Sequence, residues 1–232
     1  MQKLRITVVN VCRFVLAATF IFSGYVKAID PLGTLYKLKD YAAAMSLNGL
    51  LPDWALVGVA IALGALEFAL GVFMLFAVRR HVVSRITLAF MTAMTVLTLW
   101  IFVADPVKDC GCFGDALKLT NGETLLKNIV LSACAALVAW RPVDMARFIS
   151  RSNQWIVRYY TVAYIVITSV YCLYTLPIFD FRPYHVGMNI KQGMEIPEGA
   201  EQPEFSSNFL LRKNGETREF TLDNYPDSTW EY

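Results

Sequence analysis

Long apolar segments constrain the fold of this chain more than any other feature of its sequence. Residues 6–28, the first such segment, carry three strongly polar side chains, Asn10, Arg13 and Lys27. A helix of about 20 apolar residues is long enough to cross a hydrocarbon core of about 30 Å. The other segments of this kind are residues 54–78, 82–104, 124–141 and 159–179. The sequence therefore predicts an all-α integral membrane protein with five transmembrane helices.

Composition agrees with a membrane protein. The 232 residues are 56% hydrophobic and 17% charged, whereas a soluble domain is closer to one quarter charged. No basic block interleaved with aromatic residues is present, which excludes a nucleic-acid partner. The first apolar segment is longer than the core of a signal peptide and ends without a small-residue cleavage site, so we expect it to be retained.

Every second connection between the apolar segments is rich in lysine and arginine, and this pattern predicts the orientation of the chain in the membrane. The N-terminal flank and the connections after the second and fourth apolar segments are rich in them: Lys3, Arg5, Arg79, Arg80, Arg85, Arg141, Arg147, Arg151 and Arg158. Lysine and arginine accumulate in short cytoplasmic loops. The N-terminus is therefore expected in the cytoplasm of a bacterium and the C-terminus in the periplasm, with the helices in the inner membrane.

Two polar stretches lie outside the apolar segments. The first connection contains an amphipathic segment, Tyr36–Met45, that is typical of an interfacial helix. The tail, residues 181–232, contains two short runs that are typical of β-strands, one on each side of Asn214-Gly215. This dipeptide is a strong signal for a two-residue β-hairpin turn. We expect the tail to be periplasmic and to carry this hairpin, and it could be the start of a longer domain.

A cysteine pair, Cys110 and Cys112, lies in the connection after the third apolar segment, which we call the cysteine loop (residues 105–123). A disulfide between them would close a very small ring through Gly111, and such a strained bridge is a comparatively strong oxidant. Lys108 favours a thiolate here, whereas Asp109 and Asp115 oppose it.

Several interpretations of the pair remain open. Thiol–disulfide exchange is favoured, but two unrelated free thiols or an inert structural bridge are alternatives. A metal site would need more ligands, and the one histidine expected on the same side is His185. Cys12, Cys134 and Cys172 lie inside apolar segments, where a packing role is typical. Cys172, in the outer half of the fifth segment, is also a candidate resolving thiol.

Glu67 is the single acidic residue of the second apolar segment. A carboxylate in this position costs about 3 kcal/mol or more and needs a partner inside the bundle. Gly64 and Gly71 lie on the same helix face and would admit a neighbouring helix. Counting depths from the cytoplasmic ends predicts an Arg13–Glu67 pair, which would serve as a structural clamp or in proton or quinone chemistry.

The first two apolar segments resemble those of DoxX-like membrane proteins. The resemblance rests on Arg13, on the run Phe20-Ile-Phe-Ser-Gly24 with Lys27, on Asp30-Pro31, and on Glu67 with Gly71. Cys110-Gly-Cys-Phe-Gly114 is similar to the motif of the MauE branch, which is linked to methylamine utilisation and to the maturation of cysteine-rich proteins. The resemblance covers roughly residues 5–150, and nothing in these residues indicates an amine substrate.

This resemblance implies a four-helix bundle in residues 1–150 with a periplasmic role in disulfide formation or electron transfer, linked to a quinone. The chain adds a fifth transmembrane helix within residues 151–180 and the tail. Segments of the tail look like those of longer Bacteroides-type relatives, in which a further periplasmic domain follows. The implied partner is a periplasmic thiol protein or an appended thioredoxin-like domain.

The sequence is therefore compatible with three functions. The first is a thiol–disulfide oxidoreductase that uses Cys110 and Cys112, with Arg13 and Glu67 as an intramembrane polar pair and Lys27 and Cys172 as auxiliary residues. The second is a non-enzymatic membrane anchor or assembly factor in which the cysteine loop is structural. The third, which is weaker, is a small-molecule transporter.

Overall fold

The computed structural model describes residues 2–45, 52–105, 110–181, 187–189, 191, 208–213 and 216–221. The chain forms two compact units, Met1–Val186 and Gly187–Tyr232. The predicted roles of Lys108, Asp109 and His185 fall outside the described residues, as does the side chain of Asp115.

The described residues of the first unit form six α-helices. They are α1 (Gln2–Ile29), α2 (Pro31–Ala44), α3 (Asp53–Leu75), α4 (Arg80–Ala104), α5 (Asn121–Trp140) and α6 (Gln154–Tyr174). All except α2 are long and apolar enough to cross a membrane. The prediction of an all-α membrane protein with five such helices is confirmed, and α2 starts five residues before the predicted interfacial helix.

Capping residues explain where α2 and α5 begin. The side chain of Asp30 accepts a hydrogen bond of 2.9 Å from the backbone N–H of Gly33, and Pro31 occupies the first turn of α2. Proline is favoured there because its missing N–H would have no helical partner. Thr120 and Glu123 form a reciprocal capping box at the start of α5. The cysteine loop is thus followed by a fixed helix start.

Glycines bring α1 and α3 into close backbone contact. A Cβ added at Gly24 would lie 2.7 Å from the carbonyl oxygen of Gly64, and one added at Gly71 would lie 2.7 Å from the backbone nitrogen of Ile21. Small residues allow such an approach between membrane helices. The two contacts fix the register of the antiparallel pair, with Gly24 opposite Gly64 and Ile21 opposite Gly71.

The remaining helices pack around this pair. Helix α5 contacts α1 and α4, whereas α6 contacts α3 and α1, and α2 lies against α3. The start of α1, the end of α3 and the start of α4 form what we call the arginine end of the bundle. Arg5 and Asp144 form an ion pair of 2.8 Å there. The opposite end, where α1 finishes and Cys110 lies, is the cysteine end.

The second unit contains two antiparallel strands, β1 (Asn208–Lys213) and β2 (Glu216–Thr221). Lys213 pairs with Glu216, and Asn208 pairs with Thr221. This register leaves two residues for the turn, as predicted from Asn214-Gly215, although these two residues are outside the described ones. The β-hairpin is therefore confirmed.

Candidate functional site

The two cysteines of the loop lie side by side at the cysteine end. Their sulfur atoms are 2.8 Å apart, and both are free thiols in this structure. Gly111 between them has φ +61°, a left-handed conformation that glycine adopts without strain. Cys110 is buried, whereas Cys112 is half-buried. Cys112 as a residue therefore has more exposed surface than Cys110, although its thiol is itself surrounded by protein.

Hydrogen bonds hold the loop through the backbone carbonyls of both cysteines. The hydroxyl of Tyr41, on α2, donates to the carbonyl oxygen of Cys110. On α1, the ammonium of Lys27 donates to the carbonyl oxygen of Cys112 at 2.6 Å, and the hydroxyl of Ser23 lies 2.7 Å from the same oxygen. The positions of both sulfurs are consequently tied to α1 and α2.

Lys27 also forms a buried ion pair with Glu67. Its Nζ is 2.9 Å from Glu67 Oε2, and the two residues are only 6% and 4% exposed. Nζ also donates to Ser23 Oγ at 2.8 Å, while this hydroxyl lies 2.6 Å from Glu67 Oε2. Because a hydroxyl has one hydrogen, Ser23 donates either to Glu67 or to Cys112. Glu67, Ser23 and Lys27 form one network that reaches the cysteine loop.

The predicted Arg13–Glu67 pair is wrong. Arg13 is fully buried, and its Nη1 donates at 2.5 Å to the carbonyl oxygen of Ala146. Its guanidinium lies against the rings of Phe14 and Phe148 at 4.5 and 5.1 Å. Arg13 therefore ties α1 to the connection after α5, at the arginine end.

The register of α1 and α3 explains this error. Ser23 and Lys27 are level with Glu67, whereas Arg13 lies about 15 Å from Ser23 toward the N-terminus of α1, at ~1.5 Å per residue. A depth counted from the two span ends is valid only if these ends are level. Helix α1 instead extends from Gln2, well beyond the level of Leu75, where α3 ends.

The environment of the thiols separates their acidities. A hydrogen bond from Cys112 lowers the pKa of Cys110 to about 6, against the opposing effect of burial, and Lys127 and Lys27 act in the same direction as that bond. The same hydrogen bond, together with burial, raises the pKa of Cys112 well above its ordinary value. The environment therefore favours the thiolate on Cys110 and the protonated thiol on Cys112.

A cavity of about 200 Å³ adjoins the two thiols. Its walls are mostly apolar, and its lining includes Phe20, Leu63, Phe90, Met91, Met94 and Leu131. Lys27, Glu67, Tyr41 and both cysteines line it as well. Ligand sites in proteins commonly combine apolar walls with a few converging polar groups. The cavity places a small apolar chamber between the thiol pair and the membrane-spanning helices.

The predicted auxiliary residues have different surroundings. Lys27 lies at the centre of the network, as described above. Cys172 is buried on α6 within electrostatic range of Tyr25, and it does not belong to the described lining of the cavity. Its role as a resolving thiol stays a prediction.

Three residues of the site were not predicted from the sequence. Ser23 and Lys27 are spaced i, i+4, which places them on one face of α1, and this spacing could have identified Ser23. Tyr41 lies in the amphipathic segment without a distinguishing pattern. Lys127 lies near the start of the fourth apolar segment, where a lysine is common, and its Nζ lies 4.1 Å from the centre of the Phe113 ring, beside the cysteine pair.

Comparison with known families identifies the membrane-spanning part of the chain. The family model described as methylamine utilisation protein MauE matches residues 5–141, which is more than half of the chain. A model described as a domain of unknown function (DUF8463) matches residues 205–232. No curated protein and no solved structure matches the chain. The matched region contains α1 to α5 and both loop cysteines, and the chain belongs to the MauE family.

Proposed function

We propose that the protein is a membrane thiol–disulfide oxidoreductase whose reactive pair is Cys110 and Cys112. The observation that carries this proposal is the 2.8 Å separation of the two sulfurs at the edge of an apolar cavity. Their unequal acidities supply a thiolate and a thiol in the same pair, as exchange chemistry requires.

In the oxidising direction, a thiolate of a partner protein attacks Cys112 Sγ of the Cys110–Cys112 disulfide. The sulfur–sulfur bond breaks, a mixed disulfide forms with Cys112, and Cys110 leaves as a thiolate. A low pKa makes Cys110 the better leaving group, which leaves Cys112 as the sulfur that forms the mixed disulfide. A second partner thiolate then releases Cys112, so that the partner becomes a disulfide and the pair gains two electrons.

Reoxidation of the pair needs an acceptor of two electrons, and we propose a quinone bound in the cavity. A quinone is apolar enough to enter from the bilayer, and its ring would lie against apolar side chains of the cavity such as Phe90, Met94 and Leu131. The dithiol gives two electrons and two protons, the quinone becomes a hydroquinone, and the Cys110–Cys112 disulfide is restored. The mostly apolar lining of the cavity supports this choice.

We propose the periplasm as the compartment of the cysteine end, in a bacterial inner membrane. The accumulation of arginines at the other end of the bundle supports this orientation, and disulfides persist in the periplasm. The electron donor would be a periplasmic thiol protein or an appended thioredoxin-like domain. The DoxX-like relationship of the first helices remains a prediction of the sequence.

A non-enzymatic anchor or assembly factor is the second candidate. The hydrogen bonds to both cysteine carbonyls favour it, because they would also shape a purely structural loop. A small-molecule transporter would use Arg13 and Glu67 as its intramembrane polar site, and this hypothesis has no basis because the pair does not form.

Thiol trapping in cells distinguishes the two candidates. The thiols are alkylated with a membrane-impermeant reagent, with and without reductant, in the wild-type protein and in the Cys110→Ala/Cys112→Ala variant. Exchange predicts that the pair cycles between two states and that partner disulfides are lost in the variant. A pair that never cycles, with partner disulfides intact in the variant, would refute the oxidoreductase. Labelling from the cytoplasmic side alone would refute the orientation.

The quinone step has a separate test on the purified protein. A water-soluble benzoquinone analogue should reoxidise the reduced pair, and Met94→Trp, which fills the cavity, should slow this step at least tenfold. Val96→Trp is the matched control, because Val96 is on the same helix, 63% exposed and outside the described lining. Equal rates in both variants would contradict a quinone in this cavity.

A further inference from the structure

The ammonium of Lys27 has a complete set of hydrogen-bond acceptors. Its three hydrogens are matched by Ser23 Oγ at 2.8 Å, Glu67 Oε2 at 2.9 Å and the carbonyl oxygen of Cys112 at 2.6 Å. An ammonium has three donors and no acceptor. Lys27 is therefore held in one position, and a single cation contacts both an acid of α3 and the backbone of a reactive cysteine.

The position of this cation gives it an electrostatic effect on the sulfurs. Lys27 favours the thiolate form of both Cys110 and Cys112. Glu67 carries the opposite charge 2.9 Å from Lys27 Nζ, and both residues are buried, where charge interactions are stronger than in water. The field at the sulfurs thus depends on the balance between these two charges.

We propose that the Lys27–Glu67 ion pair is a positioning device that sets the reactivity of the Cys110–Cys112 pair, with Lys27 favouring the thiolate and Glu67 restraining that effect. The physiological meaning of this inference rests on the proposed exchange function. Lys27 and Glu67 are positioning residues here, since they act through the loop backbone and through their charges.

Other titratable groups also surround the thiols. Helix α2 contributes Lys37 and Tyr41, its cap contributes Asp30, α5 contributes Lys127, and Asp180 follows α6. These groups set the background on which the ion pair acts. Within the described residues, Glu67 forms its ion pair with Lys27. Glu67 is therefore the acid whose charge offsets the electrostatic effect of Lys27 on the two thiols.

The test is the pH dependence of thiol alkylation in the full-length purified protein, reduced and without any partner. Iodoacetamide labelling rates give a midpoint pH for the reactive thiol. Four variants are compared with wild type: Glu67→Gln, Lys27→Met, Lys27→Arg and the double variant Lys27→Met/Glu67→Gln. Asp53→Asn is the control, because it removes the exposed ion pair of Lys39 and Asp53, 2.8 Å apart, at the same end of the bundle.

The expected shifts have opposite signs. Glu67→Gln leaves the cation without a counter-charge, so the midpoint should fall by about one pH unit, whereas Lys27→Met should raise it by about the same amount. Lys27→Arg should keep the midpoint near that of wild type, and the double variant should lie between the two single variants. Asp53→Asn should not move it.

A purely structural ion pair would give a different result. Both single variants would then unfold at lower temperature, yet their midpoints would be unchanged or would shift in the same direction, and either outcome overturns the proposal. If a single variant does not fold, the neutral double variant and Lys27→Arg still test the proposal. A midpoint pH of the double variant that is shifted by a full unit from that of wild type contradicts it. A Lys27→Arg midpoint that is not close to that of wild type contradicts it as well. Opposite shifts without partner oxidation in cells would preserve this inference and refute the proposed function.

Discussion

Lys27 on the first membrane-spanning helix donates a hydrogen bond of 2.6 Å to the backbone carbonyl oxygen of Cys112. The cysteine loop is therefore not simply a connection between two helices. Its conformation depends on a cation that α1 supplies and that Glu67 of α3 neutralises at 2.9 Å. The stability of the bundle and the shape of the loop are consequently linked through one side chain.

Removing one member of this ion pair should destabilise the protein strongly. We expect Lys27→Met to lower the free energy of unfolding by about 3–5 kcal/mol, because it leaves a buried carboxylate without its partner. Adding Glu67→Gln should recover a large part of this loss. Denaturant unfolding in detergent micelles measures both changes. A double variant less stable than Lys27→Met would contradict the idea that the unpaired charge is the cause.

The reactivity of Cys110 should follow its lowered pKa. Since the thiolate is the reactive form, alkylation should accelerate as the pH rises through about 6, the pKa to which the hydrogen bond from Cys112 lowers Cys110. Cys112→Ala removes this donor and should move the midpoint upward. Cys112→Ser keeps a hydroxyl donor and should move it less. Equal midpoints in the two variants would show that the hydrogen bond is not responsible.

The contact between α1 and α3 predicts a position-specific cost for alanine. A Cβ at Gly24 would lie 2.7 Å from the carbonyl oxygen of Gly64, a backbone atom that cannot turn away. Gly24→Ala should therefore lower stability by about 1–3 kcal/mol. Gly58 on α3 has open space around it, so Gly58→Ala should be neutral or stabilising by up to about 1 kcal/mol. Thermal unfolding in micelles compares them, and similar losses would contradict the predicted contact.

The cap of α2 gives a smaller effect of known direction. Asp30 accepts a hydrogen bond from the backbone N–H of Gly33, and loss of such a cap typically costs about 1 kcal/mol. Asp30→Ala should show this loss in the same unfolding experiment, whereas Asp30→Asn keeps a side-chain oxygen and should retain most of the stability. If Asn behaved like Ala, the negative charge of Asp30 rather than its hydrogen bond would be the stabilising feature.

How much of the fold could be predicted depended on which features are local in sequence. The five apolar helices are long, and their hydrophobicity identifies them directly. The hairpin follows from Asn214-Gly215, because a two-residue turn fixes the pairing of the strands beside it. Glu67 can also be identified from the local sequence, because it is a charged residue inside an apolar segment.

The partner of Glu67 could not be found by counting depths, because the ends of α1 and α3 are not level. The positions of the glycines determine the relative register of these two helices. Gly24 faces Gly64, and Ile21 faces Gly71, and this register puts Ser23 and Lys27 beside Glu67. The cavity and the hydrogen bond from Tyr41 depend on how several helices pack, and no local pattern in the sequence encodes them.

The turn at Asp30 has a mechanical consequence for the loop. It joins α1, which holds the carbonyl of Cys112, directly to α2, which holds the carbonyl of Cys110. The two cysteine carbonyls are therefore held by neighbouring helices that meet at one turn. A change in the angle between α1 and α2 would alter the spacing of these carbonyls, so the geometry of the thiol pair is coupled to the geometry of this turn.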